Sequence, residues 1–188
     1  MTLVNTFSKS VFARIIERFA GDGRGVSAVE FAILLPVMLT LYLGSVETSQ
    51  GVAAQRKVSL TAHALADVAT QYTDITNADM SNILNAGAAI IAPYPSAQLT
   101  EVISELSINA QGQATVVWSD TLGGAARTVG QVVNIPSALA VPNTYLIMAE
   151  TQYGYSPTYG YAVTGTLNLS DVSYMLPRQS TSIARTAT

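Results

Sequence analysis

From Val26 to Val46 the chain runs 21 residues with one charged side chain, Glu30, and the sixteen residues between Glu30 and Glu47 carry none. As a helix this stretch would be about 31 Å long at 1.5 Å per residue, close to the hydrocarbon thickness of a bilayer. The pattern therefore predicts a membrane-spanning helix. Pro36 lies inside it and cannot donate to the carbonyl of Ala32, which predicts a kink. Past Glu47 the apolar positions thin to a seam. Val58, Ala62, Leu65, Ala69 and Tyr72 step by fours and threes, while Gln55, Arg56, Ser59, His63, Asp67 and Thr70 fall on the other side. The spacing predicts one helix from about Val26 to Tyr72, lipid-facing first and amphipathic afterwards.

Thr76 and Asp79 have the spacing of a capping box and predict a second helix with Met80, Ile83, Leu84 and Ile91 on its apolar side. The APYPS stretch ends it, since Pro93 and Pro95 cannot continue a helix. After Leu99 the period shifts towards two. Val102, Leu106 and Ile108 alternate with polar neighbours, NAQGQ reads as a turn, and ATVVWSD as the returning strand. Glu101 and Glu105 would then share a solvent face. TLGGAAR reads as a loop, IPSALAVPN as at most a short helical turn, and TYLIMAETQYGY as the strongest strand. YAVTGTLNLS and DVSYML are further strand candidates, and RQSTSIARTAT a polar, frayed tail. A long helix followed by an antiparallel sheet is an α+β fold. The expected organisation is a leader over 1–25, a span over 26–46, an exported amphipathic continuation over 47–75 and an exported α+β domain over 76–188.

Charge changes the picture by its placement. Residues 1–25 hold Lys9, Arg14, Arg18 and Arg24 against Glu17 and Asp22, and the remainder is acidic. Basic residues before an apolar segment stay on the cytoplasmic side, so the distal chain is expected outside the cytoplasm. In the leader, Val4, Phe7, Val11, Ile15 and Phe19 recur at helical spacing with Lys9 and Arg18 off the stripe, a pattern that can lie on the inner leaflet. Gly21, Gly23 and Gly25 interrupt it. An acidic distal part argues against nucleic-acid binding. The chain has no cysteine and one histidine, which excludes disulfides and thiolate or multi-histidine metal sites within one chain.

In GVSAVEFAILLPVML a glycine precedes four small or apolar residues, then Glu-Phe, then the apolar run. This resembles the class III signal of type IV pilins and pseudopilins. With AETQYGYSP and SYMLPRQST it resembles the TadE-like pseudopilins of the tight-adherence, Flp-type pilus. The resemblance implies that a prepilin peptidase cuts between Gly25 and Val26 on the cytoplasmic side, making Glu30 and Phe31 the fifth and sixth residues of the mature chain. It implies other pilus subunits and pseudopilins, an inner-membrane assembly platform and inner-membrane lipid as partners. It also maps a Tyr-x-Tyr-x-Pro motif to Tyr153, Tyr155 and Pro157, and a closing Pro-Arg to Pro177 and Arg178. The last strand departs from the family pattern by lacking an additional arginine before that proline. Residues 76–140 carry no recognised motif.

Physical chemistry gives Glu30 a task beside the resemblance. Cleavage would leave a charged α-amino group on Val26, four positions before Glu30 on one helix face. A charge in apolar surroundings is costly unless paired, so Glu30 could pair with its own or a neighbour's amine and favour one axial register. Alternatively, Glu30 caps the helix start and interacts with its dipole. Two other membrane readings stand beside processing after Gly25. One is an ordinary signal peptide cut after VAA, so that the mature chain starts at Gln55; the other is an uncleaved single-span anchor.

Nothing points to catalysis. His63 falls on the polar side as a solvated residue, and Glu101 with Glu105 lacks a cleft. LGGAAR lacks the lysine of a phosphate loop. No cofactor or metal is expected, and no enzyme activity is assigned. Tyr153, Tyr155, Tyr159 and Tyr161 belong to a tyrosine-rich region that could pack in the sheet or serve, with Pro157, Pro177 and Arg178, as a docking patch. The expected function is a processed minor pseudopilin assisting pilus assembly through helix packing. The alternative is a membrane-anchored protein that binds a surface or polysaccharide through the tyrosine-rich sheet.

Overall fold

A computed structural model describes residues 24–157 and 165–186. Residues 1–23 of the leader, Tyr159 and Tyr161 lie outside the described residues. The chain divides into two compact units, Met1–Val46 and Glu47–Thr188. The first helix, α1 (Arg24–Ala69), belongs to both. In the first unit its apolar side chains are bare: Phe31, Ile33, Leu34, Val37, Met38 and Leu41 are all exposed. One 18-residue window of α1 has a mean hydropathy of 2.0 and no buried residue. A helix this apolar and this uncovered is long enough to cross a membrane once. Pro36 sits inside α1, and Thr40 Oγ1 donates to the Pro36 carbonyl at 2.8 Å.

In the second unit α1 is covered. The seam residues Val58, Ala62, Leu65 and Ala69 are buried, together with Ala54, Thr61 and Ala66. The stripe is therefore wider than a narrow heptad seam. Thr70, expected on the polar side, is buried and donates its hydroxyl to the Asp67 carbonyl at 2.7 Å. Helix α2 (Asn77–Ile90) opens on the capping box: Asp79 N–H donates to Thr76 Oγ1 at 3.2 Å, and Thr76 N–H to Asp79 Oδ2 at 3.1 Å. Its buried side carries Met80, Ile83, Leu84 and Gly87.

A short β1 (Asp74–Ile75) precedes α2. Strands β2 (Leu99–Ile108), β3 (Ala114–Leu122), β4 (Val132–Val133), β5 (Tyr145–Tyr155) and β6 (Leu167–Met175) form one antiparallel sheet in the order β4-β3-β2-β5-β6. The two separate strand candidates at the end of the chain are thus one strand, β6. The β2–β3 turn is held by Asn109, whose Oδ1 accepts from the N–H groups of Gln111 and Gln113, while Gly112 takes φ 76°.

The sheet is covered on both faces, which overturns one expectation. Glu101 and Glu105 do not face solvent; they are 0% and 1% exposed. They share their face of β2 with Ile103, which packs with Trp118, Ile147 and Ala149 against Leu65, Ala66 and Ala69 of α1 and Met80, Ile83 and Leu84 of α2. Leu106 and Ile108 lie on the opposite face with Val116, Leu146 and Met148, beneath Val133, Ile135 and Leu139 of the β3–β5 connection. Period-two alternation assigns residues to faces, but here a connection of low regularity covers the face that helices leave free.

The C-terminal segment is also not a frayed tail. Strand β7 (Ala184–Arg185) pairs in parallel with β1, and Ile183 is buried. Arg185 clamps Asp120 of β3 with Nε at 2.9 Å and Nη2 at 3.0 Å.

Candidate functional site

The residues around the expected processing point are accessible. Val26, Glu30 and Phe31 are exposed on the first turns of α1, Val26 at 56% and Phe31 at 59%. A Cβ placed on Gly25 would meet nothing within 4 Å. Among the described residues, then, no packing requires a glycine at this position. Glu30 has no ion pair among the described residues, so its carboxylate is available to an amine from another source.

The C-terminal motif residues converge on α1. Tyr153 and Tyr155 are buried, and their cluster contains Ala54 and Val58 of α1 with Ile91 and Leu99. Tyr94 packs against both rings, at centroid separations of 6.1 Å. Gly51 brings the helix backbone near, since a Cβ there would stand 3.9 Å from the Tyr155 ring. Pro157 is half-buried just beyond β5. Following β6, half-buried Pro177 leads into Arg178, whose N–H donates to the Thr70 carbonyl at 3.0 Å and whose guanidinium pairs with Asp67. His63 is exposed, but it is not merely solvated: its Nδ1 lies 2.9 Å from Ser173 Oγ of β6. Gln55 adds an amide donor to the Ser170 carbonyl at 3.1 Å. Tyr153, Tyr155 and Arg178 thus bring sheet and helix together.

Sequence reading singled out Glu101 and Glu105 together but missed that both are buried, in unequal surroundings. Glu105 Oε1 accepts the Ile183 N–H at 2.6 Å, and Trp118 Nε1 donates to the Ile183 carbonyl at 2.8 Å. Burial raises the Glu105 pKa, offset in part by the Ile183 N–H and by Trp118. Glu101 has no such help. Both its carboxyl oxygens, and Thr151 Oγ1 on the paired position of β5, are buried without a hydrogen-bond partner. Burial alone pushes the Glu101 carboxyl up to about 7. It lies on the backbone of α2, where a Cβ on Gly87 would fall 2.0 Å from Oε1. The one signal in the sequence was Ile103, a large apolar residue on the same strand face as both glutamates.

The opposite sheet face holds a second feature outside the sequence reading. Arg127 Nε and Nη2 donate to the two Glu150 carboxyl oxygens at 2.6 and 2.7 Å, a bidentate pair. It ties the connection after β3 to β5 beside a depression of about 240 Å³ lined also by Thr100, Val102, Ala125 and Gln152. Among the described residues, no group of three His, Asp or Glu side chains is placed to hold a metal ion.

With the helix and its contacts in place, comparison with known families falls on the same segment. Residues 25–67 match the family model described as TadE-like protein. The match begins at Gly25 and ends at Asp67, the partner of Arg178. It covers well under half of the chain, and the sheet lies beyond it. The TadE-like family implies a role in the tight-adherence pilus. No curated protein and no solved structure matches the chain.

Proposed function

We propose that this chain is a minor pseudopilin, cut between Gly25 and Val26 by a prepilin peptidase, that assists assembly of a tight-adherence pilus through helix packing. The observation that carries the reading is that the TadE-like match falls on a helix whose first 18-residue apolar window is wholly unburied. Such a helix needs lipid or other helices to cover it. In this reading α1 anchors the chain in the inner membrane, the N-terminus lies in the cytoplasm and the sheet lies in the periplasm. Its partners are the peptidase, other pilus subunits and the assembly platform. The role is structural, with no reaction assigned and no nucleic acid bound.

Glu30 is the residue on which assembly turns. Its carboxylate would pair with the α-amino group of Val26, from its own chain or a neighbour, and so select one axial register. Glu30→Ala should therefore be processed normally and still fail to support piliation, scored by electron microscopy of a complemented deletion strain. Normal pili in that strain would return Glu30 to a helix-capping role. The alternative, a surface- or polysaccharide-binding protein, has less support, because Tyr153 and Tyr155 spend their rings on α1.

A further inference from the structure

The second unit presents one helix face that its own sheet does not cover. On α1 beyond Glu47, Val52 and Leu60 are 50% and 54% exposed, eight residues apart on one side of the helix, with Arg56 midway between them. Together with Ser49, Ala53 and Lys57 they line a surface depression of about 380 Å³. Ser49 and Ala53 are small residues four apart, the arrangement that lets a second helix backbone come close.

Arg56 makes this face selective. Of the cations after Val26, Arg127, Arg178 and Arg185 each hold a carboxylate, and Lys57 Nζ donates to the Ile90 carbonyl at 3.1 Å. Arg56 has neither an ion pair nor a hydrogen bond among the described residues. An exposed guanidinium between two exposed apolar side chains calls for a partner that presents a carboxylate between apolar positions.

A second copy of this chain does not meet that need. From Thr48 to Ala66 the helix holds Arg56 and Lys57 and no Asp or Glu, and of the flanking carboxylates Glu47 is 2% exposed and Asp67 holds Arg178. Copies inserted into a membrane in the same direction would bring like charges to the same height, which is unfavourable.

We infer that the face formed by Ser49, Val52, Ala53, Arg56 and Leu60 docks a helix of a different membrane-anchored subunit, one that places a carboxylate opposite Arg56. The inference rests on the pilus-assembly reading for its setting, and its test has a readout separate from piliation. A photo-crosslinking residue at Leu60 of the full chain, irradiated in intact cells, reads the neighbour directly. The expected result is a heteromeric adduct whose yield drops roughly tenfold with Arg56→Glu and persists with Arg56→Lys, as loss of one charge pair would give. An adduct between two copies, an adduct indifferent to charge reversal, or no adduct would each overturn the inference. Arg56 is exposed and unpartnered, so unchanged protein levels in both variants check that folding is retained. Pili persisting in a deletion strain while the charge-dependent adduct forms would count against the pilus reading and leave the docking face standing.

Discussion

Glu101 and Glu105 lie four residues apart on the same face of β2, either side of Ile103, and their difference comes from what reaches them. Glu105 accepts the Ile183 N–H; neither oxygen of Glu101 accepts anything. Burial raises Glu101 from 4.5 to about 7. Between those values the folded chain keeps a proton that the unfolded chain has released. The Glu101 contribution to stability is therefore full below pH 4.5, falls as pH rises towards 7 and levels off above it. Glu105 is raised too and acts in the same direction. On the elements around Glu101, Lys57 is engaged with Ile90, His63 with Ser173, Asp67 with Arg178, Asp79 with Thr76, Asp120 with Arg185 and Glu150 with Arg127, while Arg56 of α1 is exposed. Thermal unfolding of the detergent-solubilised full chain should show a loss on the order of 2 kcal/mol from pH 4.5 to 8. In Glu101→Gln that loss should shrink; the same slope in both proteins would contradict the assignment. At the other end of the chain, Gly25→Leu should leave the longer, uncut protein in the membrane without disturbing the fold, since nothing packs on that position. A mature mass unchanged from wild type would move the cut elsewhere.

Among the elements, α2 and β2 meet through the absence of a side chain. A methyl on Gly87 would press on the Glu101 carboxyl, which has no solvent to swing into. Gly87→Ala should therefore destabilise the chain by about 1–3 kcal/mol despite the better helix propensity of alanine. In a Glu101→Ala background the same change should become neutral or stabilising by up to about 1 kcal/mol. Equal costs in the two backgrounds, measured by denaturant unfolding, would show that the contact does not control the approach. The elements themselves were legible where their signals are local. The α1 seam follows from residues three and four apart, and the α2 start from Thr76 and Asp79 alone. What covers each face of β2 was not legible, because that depends on α1, α2 and the β3–β5 connection, all distant in sequence. The last residues misled for a similar reason. RQSTSIARTAT is polar on its own, and only pairing with β1 and the reach of Arg185 to Asp120 make Ile183 part of the core.

At the scale of the molecule, each unit has its own logic. The first is a bare apolar helix, legible from hydropathy alone. The second is a sheet that holds the apolar side of α1 through Tyr153 and Tyr155 and its polar side through Ser170, Ser173 and Arg178. Resemblance had singled out Tyr153, Tyr155 and Arg178 as motif residues, but their work of seating the helix became visible only with the contacts. Sequence reading placed Arg56 on the polar side of α1, but the exposed Val52 and Leu60 that flank it became visible only with the structure. A family match that starts at Gly25 on a helix held by a sheet beyond that match is the basis for reading the chain as a processed pseudopilin. The most direct test is the mature N-terminus, read by mass spectrometry of protein from cells with and without their prepilin peptidase. The account predicts a chain beginning at Val26 that disappears when the peptidase is absent. A start at Gln55, or an intact leader in both strains, would contradict it.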